Sequence, residues 1–141
     1  MALRADQRDY MNAFRKHFHA YSNWKDTGSD SSKRLVLTYC VECGLKYEIM
    51  KQEKLLQTSD AQDEIRGELA SHDLRKLLKR LNKAGTYIFP LIKTNHDENV
   101  YPDTYHQFCR YCITPGSEYI GAIQQFDSTL VDIAKWIEER V

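Results

Sequence analysis

Residues 39–46 read Tyr39-Cys40-Val41-Glu42-Cys43-Gly44-Leu45-Lys46, and the fold turns on whether they are a metal-binding turn or a piece of helix. Cys40 and Cys43, followed by Gly44, have the spacing of a zinc knuckle. A second pair, Cys109 and Cys112 in FCRYC, would complete the four thiolates of a tetrahedral zinc. Against this, Val36, Cys40, Cys43, Tyr47 and Met50 step by four and three along one helical stripe. Zinc knuckles lie in turns, whereas a cysteine inside such a stripe acts as a small buried hydrophobe. The packing reading is preferred, with Gly44 as a place of close helix approach, and a zinc site of Cys40, Cys43, Cys109 and Cys112 is the alternative. Glu42 and Lys46, one turn apart on a neighbouring face in the favourable order, support the same helix, which Ser31 or Ser32 caps and which runs to about Glu53.

Working outward, Tyr10, Phe14, Phe18 and Tyr21 recur at helical spacing and predict a first helix from Ala5 to about Trp24. The polar run around Gly28 reads as a loop. Ser59 with Gln62 predicts a capping box for a short helix over 60–69. Ser71 as N-cap, the stripe Leu74, Leu77, Leu78 and Leu81, and Gly85 as terminator predict a clearer helix after it. Pro90 breaks TYIFPLIKTNHDENV into an irregular crossover, where a short strand fits but a sheet has nowhere to form. Pro102 opens a helix striped by Tyr105, Cys109 and Cys112 and ended by Pro115 and Gly116. Ser117 caps the last helix, with Ile120, Ile123, Phe126, Leu130, Ile133 and Ile137 on its apolar face. The sum is a single domain over residues 1–141, an all-α antiparallel bundle of five to six helices.

The bulk numbers agree. With 42% hydrophobic and 28% charged residues, three prolines and six glycines, the chain has an ordinary globular composition with little room for sheet turns. No window approaches the ~18 apolar residues that span a bilayer, and the N-terminus has no apolar leader core. A cytoplasmic protein that avoids membranes is expected, its cysteines reduced. Twenty basic against twenty acidic residues leave no global field for nucleic acid, so any such surface is local.

Val41-Glu42-Cys43-Gly44-Leu45-Lys46 in a long second helix, followed by His72-Asp73-Leu74 opening a helix with Leu77 and Leu78, resembles the HEPN superfamily of small helical domains. The resemblance covers roughly residues 30–85 and implies an antiparallel bundle that commonly dimerises, found in toxin and antitoxin pairs, RNA processing and antiviral defence. Many members are metal-independent endoribonucleases with an arginine and a histidine separated by four to six residues. Here Arg66 and His72 have five between them, although Gly67 stands where the family usually has a polar residue. The implied chemistry needs no cofactor: the histidine moves a proton at an RNA 2′-hydroxyl or 5′-oxygen, the arginine holds the scissile phosphate, and a 2′,3′-cyclic phosphate forms. His72 at a helix N-terminus would add backbone N–H groups for an anion. Arg75, Lys76, Lys79, Arg80 and Lys83 would continue an RNA-binding track. Partners implied are RNA or a nucleotide, together with a second copy or a partner protein.

The competing reading makes His72 and Asp73 turn residues and Arg66 a solvated side chain or a partner of Glu42 or Glu64. The domain is then a non-catalytic module that engages RNA, nucleotide or protein. The cations of the fourth helix form an ordinary solvated face on this view. Arg110 with Tyr111 could hold a phosphate and stack a base, but reads better as a surface residue whose stem covers the core. Arg15, His17 and His19 lie on the first helix, where residues two apart do not share a face, so a joint metal or catalytic site is not expected.

Overall fold

The computed structural model describes residues 3–25 and 30–141, so the expected loop around Gly28 lies outside the described residues. The helices are α1 (Gln7–Ser22), α2 (Asp30–Gln52), α3 (Asp63–Leu69), α4 (Leu74–Arg80), α5 (Tyr105–Arg110) and α6 (Ile120–Arg140). The all-α bundle expected from the sequence is what forms. Among the described residues no helix is long and apolar enough to cross a membrane.

Contacts fix the directions of the long helices. Lys33 lies over the Tyr21 ring, Cys40 donates to the Phe14 carbonyl, Lys46 lies over Tyr10, and Gln7 reaches the Leu55 carbonyl. Residue numbers rise on one helix as they fall on the other, so α1 and α2 are antiparallel. Arg34 pairs with Asp127 and Glu48 with Arg140, so α6 runs parallel to α2 and antiparallel to α1. The long connection through α3, α4 and α5 makes that return possible.

At the crossing of the three long helices sits Gly44. A Cβ there would come within 2.7 Å of both Phe14 Cδ1 and Ile137 Cδ1, closer than any side chain tolerates. The absence of a side chain lets the backbones approach, as the sequence suggested. Because α2 packs against α1, α4, α5 and α6, its burial is not one stripe. Leu37, Thr38, Cys40–Glu42 and Gly44–Met50 are all buried, while Val36 and Cys43 of the expected stripe are only half-buried. The neighbouring face that carries Glu42 and Lys46 is therefore interior as well.

Several boundaries differ from expectation. The helix α2 is already under way at Asp30, which places Ser31 and Ser32 inside it. Gln62 occupies the N-cap position of α3, and Ser59 lies in a separate 3₁₀ turn, Thr58–Asp60. Asp73, not Ser71, caps α4, accepting from the N–H groups of Arg75 and Lys76. Its terminator is Asn82 in the left-handed region (φ 59°), with Lys83 N–H bonded to the Leu78 carbonyl, so Gly85 is not needed. Lys54 ends α2 in the same way, and Cys112 ends α5. That turn takes Cys112 off the Tyr105–Cys109 stripe and leaves it exposed.

A sheet does form, in miniature. Strands β1 (Ile92–Lys93) and β2 (Asn99–Val100) make an antiparallel hairpin turned through Asp97 at φ 60°. The last helix begins after a 3₁₀ turn, Ser117–Tyr119, and its stripe from Ile123 to Ile137 is buried while Ile120 at its start is exposed. Asp127 ties the bundle together: one oxygen accepts from Arg34 on α2 and the other from the Tyr105 hydroxyl on α5, each at 2.7 Å. This clamp, with Tyr105 stacked on Phe126 at 3.8 Å between centroids, holds α5 and its neighbour His106 against α2.

Candidate active site

The stretch before α4 is a locked turn. Ser71 Oγ accepts from Asp73 N–H at 3.0 Å, and Asp73 caps the helix. The Arg75 and Lys76 amides of α4 are thereby occupied by the Asp73 carboxylate, which takes them from the anion contact expected beside His72. What the turn does instead is bring the His72 imidazole onto α2. Nδ1 lies 2.9 Å from Glu42 Oε1, and Lys46 Nζ donates to Glu42 Oε2 at 3.0 Å. The side chains of Glu42 and Lys46 are 10% and 7% exposed, that of His72 55%, so a buried ion pair supports a histidine open to solvent on its other side.

Two rings complete the surroundings. His106, buried on α5, lies 4.8 Å from His72 between ring centroids. Burial, then the neighbouring His72 and Arg110, hold its pKa below the usual histidine value against the pull of Glu42 and Asp103. Tyr10 of α1 meets Lys46 at 5.9 Å, and burial, aided by Cys43 and Glu42, pushes its hydroxyl up to about 12. Tyr10 is thus a neutral ring and a hydrogen-bond donor at physiological pH.

Arg66, in the last turn of α3, donates through Nη2 to the carbonyls of Ser59 (3.1 Å) and Ala61 (2.9 Å). Neither Glu42 nor Glu64 is its partner: Glu42 holds Lys46 and His72, while Glu64 pairs with Arg80. Arg66 and His72 line one groove of about 720 Å³ together with Lys46, Tyr10, Arg4 and Leu69. Among the described residues that line it there is no carboxylate. The groove offers one histidine, an apolar wall and three cations that each have a carboxylate partner at its edge: Arg4 with Asp6 at 2.8 Å, Lys46 with Glu42 at 3.0 Å and Arg66 with Asp63 at 3.9 Å.

The proposed RNA track is less uniform. Arg75, Lys76 and Lys79 are exposed, but Arg80 is fastened to Glu68 at 2.6 and 2.9 Å and to Glu64 at 3.2 Å, and Lys83 lies over Trp136. Arg75 lines a separate cleft with Tyr87 and Tyr101. Arg80 and Lys83 are structural cations. Arg110 hydrogen-bonds the Tyr39 hydroxyl and lies over that ring, while Tyr111 beside it is exposed. Arg15 and His19, four apart, share a cleft on α1 that His17 does not line.

Cys40 and Cys109 are buried, and burial raises both thiols well above their ordinary pKa. With Cys43 half-buried and Cys112 exposed beyond α5, no three histidine, cysteine or acidic side chains among the described residues meet as a metal site. The packing role of Cys40 and Cys109 is what the structure shows.

Sequence reasoning named Arg66 and His72 but missed Glu42, Lys46, Tyr10 and His106 as their surroundings. The one available signal was a Glu–Lys pair inside a long apolar helix. Comparison with protein-family models, curated proteins and solved structures finds no match to this chain.

Proposed function

We propose that this chain is a HEPN-like domain that binds RNA in the Arg66–His72 groove and cuts it without metal, in a defence or toxin setting. The observation that supports this reading is that two residues matched to the family's motif line the same groove. His72 Nε2 takes the proton of an RNA 2′-hydroxyl, and the 2′-oxygen attacks phosphorus. The P–O5′ bond breaks, the leaving 5′-oxygen takes a proton from solvent water, His72 returns its proton to solvent, and a 2′,3′-cyclic phosphate remains. Arg66, anchored by two carbonyls, presents fixed positive charge to the phosphate as its charge develops.

The same anchoring of Arg66 favours a second reading, a non-catalytic module that holds RNA or a nucleotide in the groove and regulates a partner. In either case a second copy or a partner protein would meet the exposed apolar side chains Ile88, Leu91 and Tyr101. Incubation with mixed tRNA and mRNA in EDTA separates the readings. The nuclease reading expects 2′,3′-cyclic phosphate ends from the wild type and none from His72→Ala. Equal cleavage by both, or none by either, removes it.

A further inference from the structure

We infer that Glu42, itself held by Lys46, is a positioning residue that fixes His72 in the Nδ1–H tautomer and leaves Nε2 as the unprotonated nitrogen. The inference deepens the proposed nuclease reading and rests on it for its role in catalysis, but its geometry stands alone. Lys46 is an ammonium and can only donate, so Glu42 Oε2 is committed as an acceptor at 3.0 Å. The carboxylate has no donor to offer through Oε1 either. A 2.9 Å contact between Oε1 and Nδ1 is therefore a hydrogen bond only if the proton sits on Nδ1. The opposite tautomer would set a carboxylate oxygen against a nitrogen lone pair.

Burial sharpens this choice. Glu42 and Lys46 are both buried, where water cannot mediate a mismatched contact, so the pair acts as a fixed acceptor. The groups facing His72 are Glu42 and Lys46 from α2, Arg66 from α3 and Tyr10 from α1 across the groove, and His106 from α5 with Arg110 behind it. Of these, Glu42 is the one in hydrogen-bond contact with Nδ1, and the His106 ring packed at 4.8 Å resists rotation of the imidazole. A second group that sets tautomer and orientation is a recurrent requirement of histidine bases.

The test reads the tautomer directly. Long-range ¹H–¹⁵N correlation of the imidazoles at about pH 8.5, some two units above the ordinary histidine pKa, identifies the protonated nitrogen, with the His72 signal assigned by its loss in His72→Gln. The wild type is expected to show Nδ1–H. In Glu42→Gln, Lys46 claims the carboxamide oxygen and turns the amide toward Nδ1, so the tautomer inverts to Nε2–H. RNA cleavage then falls by about 10²- to 10⁴-fold with KM unchanged. Predominant Nε2–H in the wild type overturns the inference even if the variant fails to fold, and so does an unchanged tautomer in a folded variant. Because the tautomer is read without RNA, Nδ1–H that inverts as expected in a protein that cuts nothing supports the positioning and counts against the nuclease reading alone.

Discussion

One turn of α2 serves two regions that differ in kind. On the side of Gly44, Phe14 and Ile137 the contacts are apolar and set by size: the missing Cβ is the reason three helices cross there. On the side of Glu42 and Lys46 the contacts are ionic and set by partner identity: Lys46 is satisfied in the interior by Glu42, and Glu42 by Lys46 and His72. The comparison teaches that volume governs the first region and hydrogen-bond completeness the second, so the same helix responds to opposite kinds of substitution.

The largest effect should come from the ionic side. Glu42→Ala leaves Lys46 buried without its carboxylate, and chemical denaturation at neutral pH should show a loss of about 3–5 kcal/mol. Replacing both residues, Glu42→Leu with Lys46→Met, should recover much of that stability, since no charge is then stranded. Gly44→Ala tests the apolar side and should cost about 1–3 kcal/mol through overpacking, with no dependence on salt. A neutral outcome would mean that the three helices shift apart easily.

Smaller effects probe the edges of the comparison. Cys112 holds a left-handed conformation at the end of α5, so Cys112→Gly should stabilise by about 1 kcal/mol. A cysteine that ligated zinc would give a loss in its place, which makes this substitution a sharp check on the thiol pairs. The gentlest effect is a slope with pH. The folded-state pKa values of His106 and His17 lie below the ordinary value, chiefly through burial, so the unfolded chain binds more protons at mildly acidic pH. Their contribution is fully present above about pH 6.5 and is lost as pH falls through the folded-state values. His106→Gln should flatten the decline of Tm between neutral and mildly acidic pH.

Much of the apolar framework was legible because helical period reports burial where a helix has one buried face, as in α1 through Phe14 and α6 through Phe126, Leu130 and Ile133. The reading fell short at α2. A helix surrounded by four others buries residues of every kind, and period alone put Glu42 and Lys46 on a face beside the apolar stripe without showing that this face is buried too. Turn chemistry was misjudged for a related reason. Asn82, Asp97 and Cys112 take left-handed conformations without being glycine, while Gly85 takes none. Arg66 and His72 line one groove, as residues close in sequence can, but the pairing of His72 with Glu42 joins residues thirty apart and follows from how the turn at Ser71–Asp73 lies on α2. Local sequence carries no record of such a contact.

The central claim, that the groove between Arg66 and His72 is where RNA binds, is tested most directly by titrating ¹⁵N-labelled protein with a short RNA made uncleavable by 2′-fluoro substitution at every position. The account predicts amide and side-chain shifts concentrated at Tyr10, Lys46, Arg66, Leu69 and His72, weakening as salt rises. Shifts confined to Arg75, Lys76 and Lys79, or no shifts at all, would contradict it.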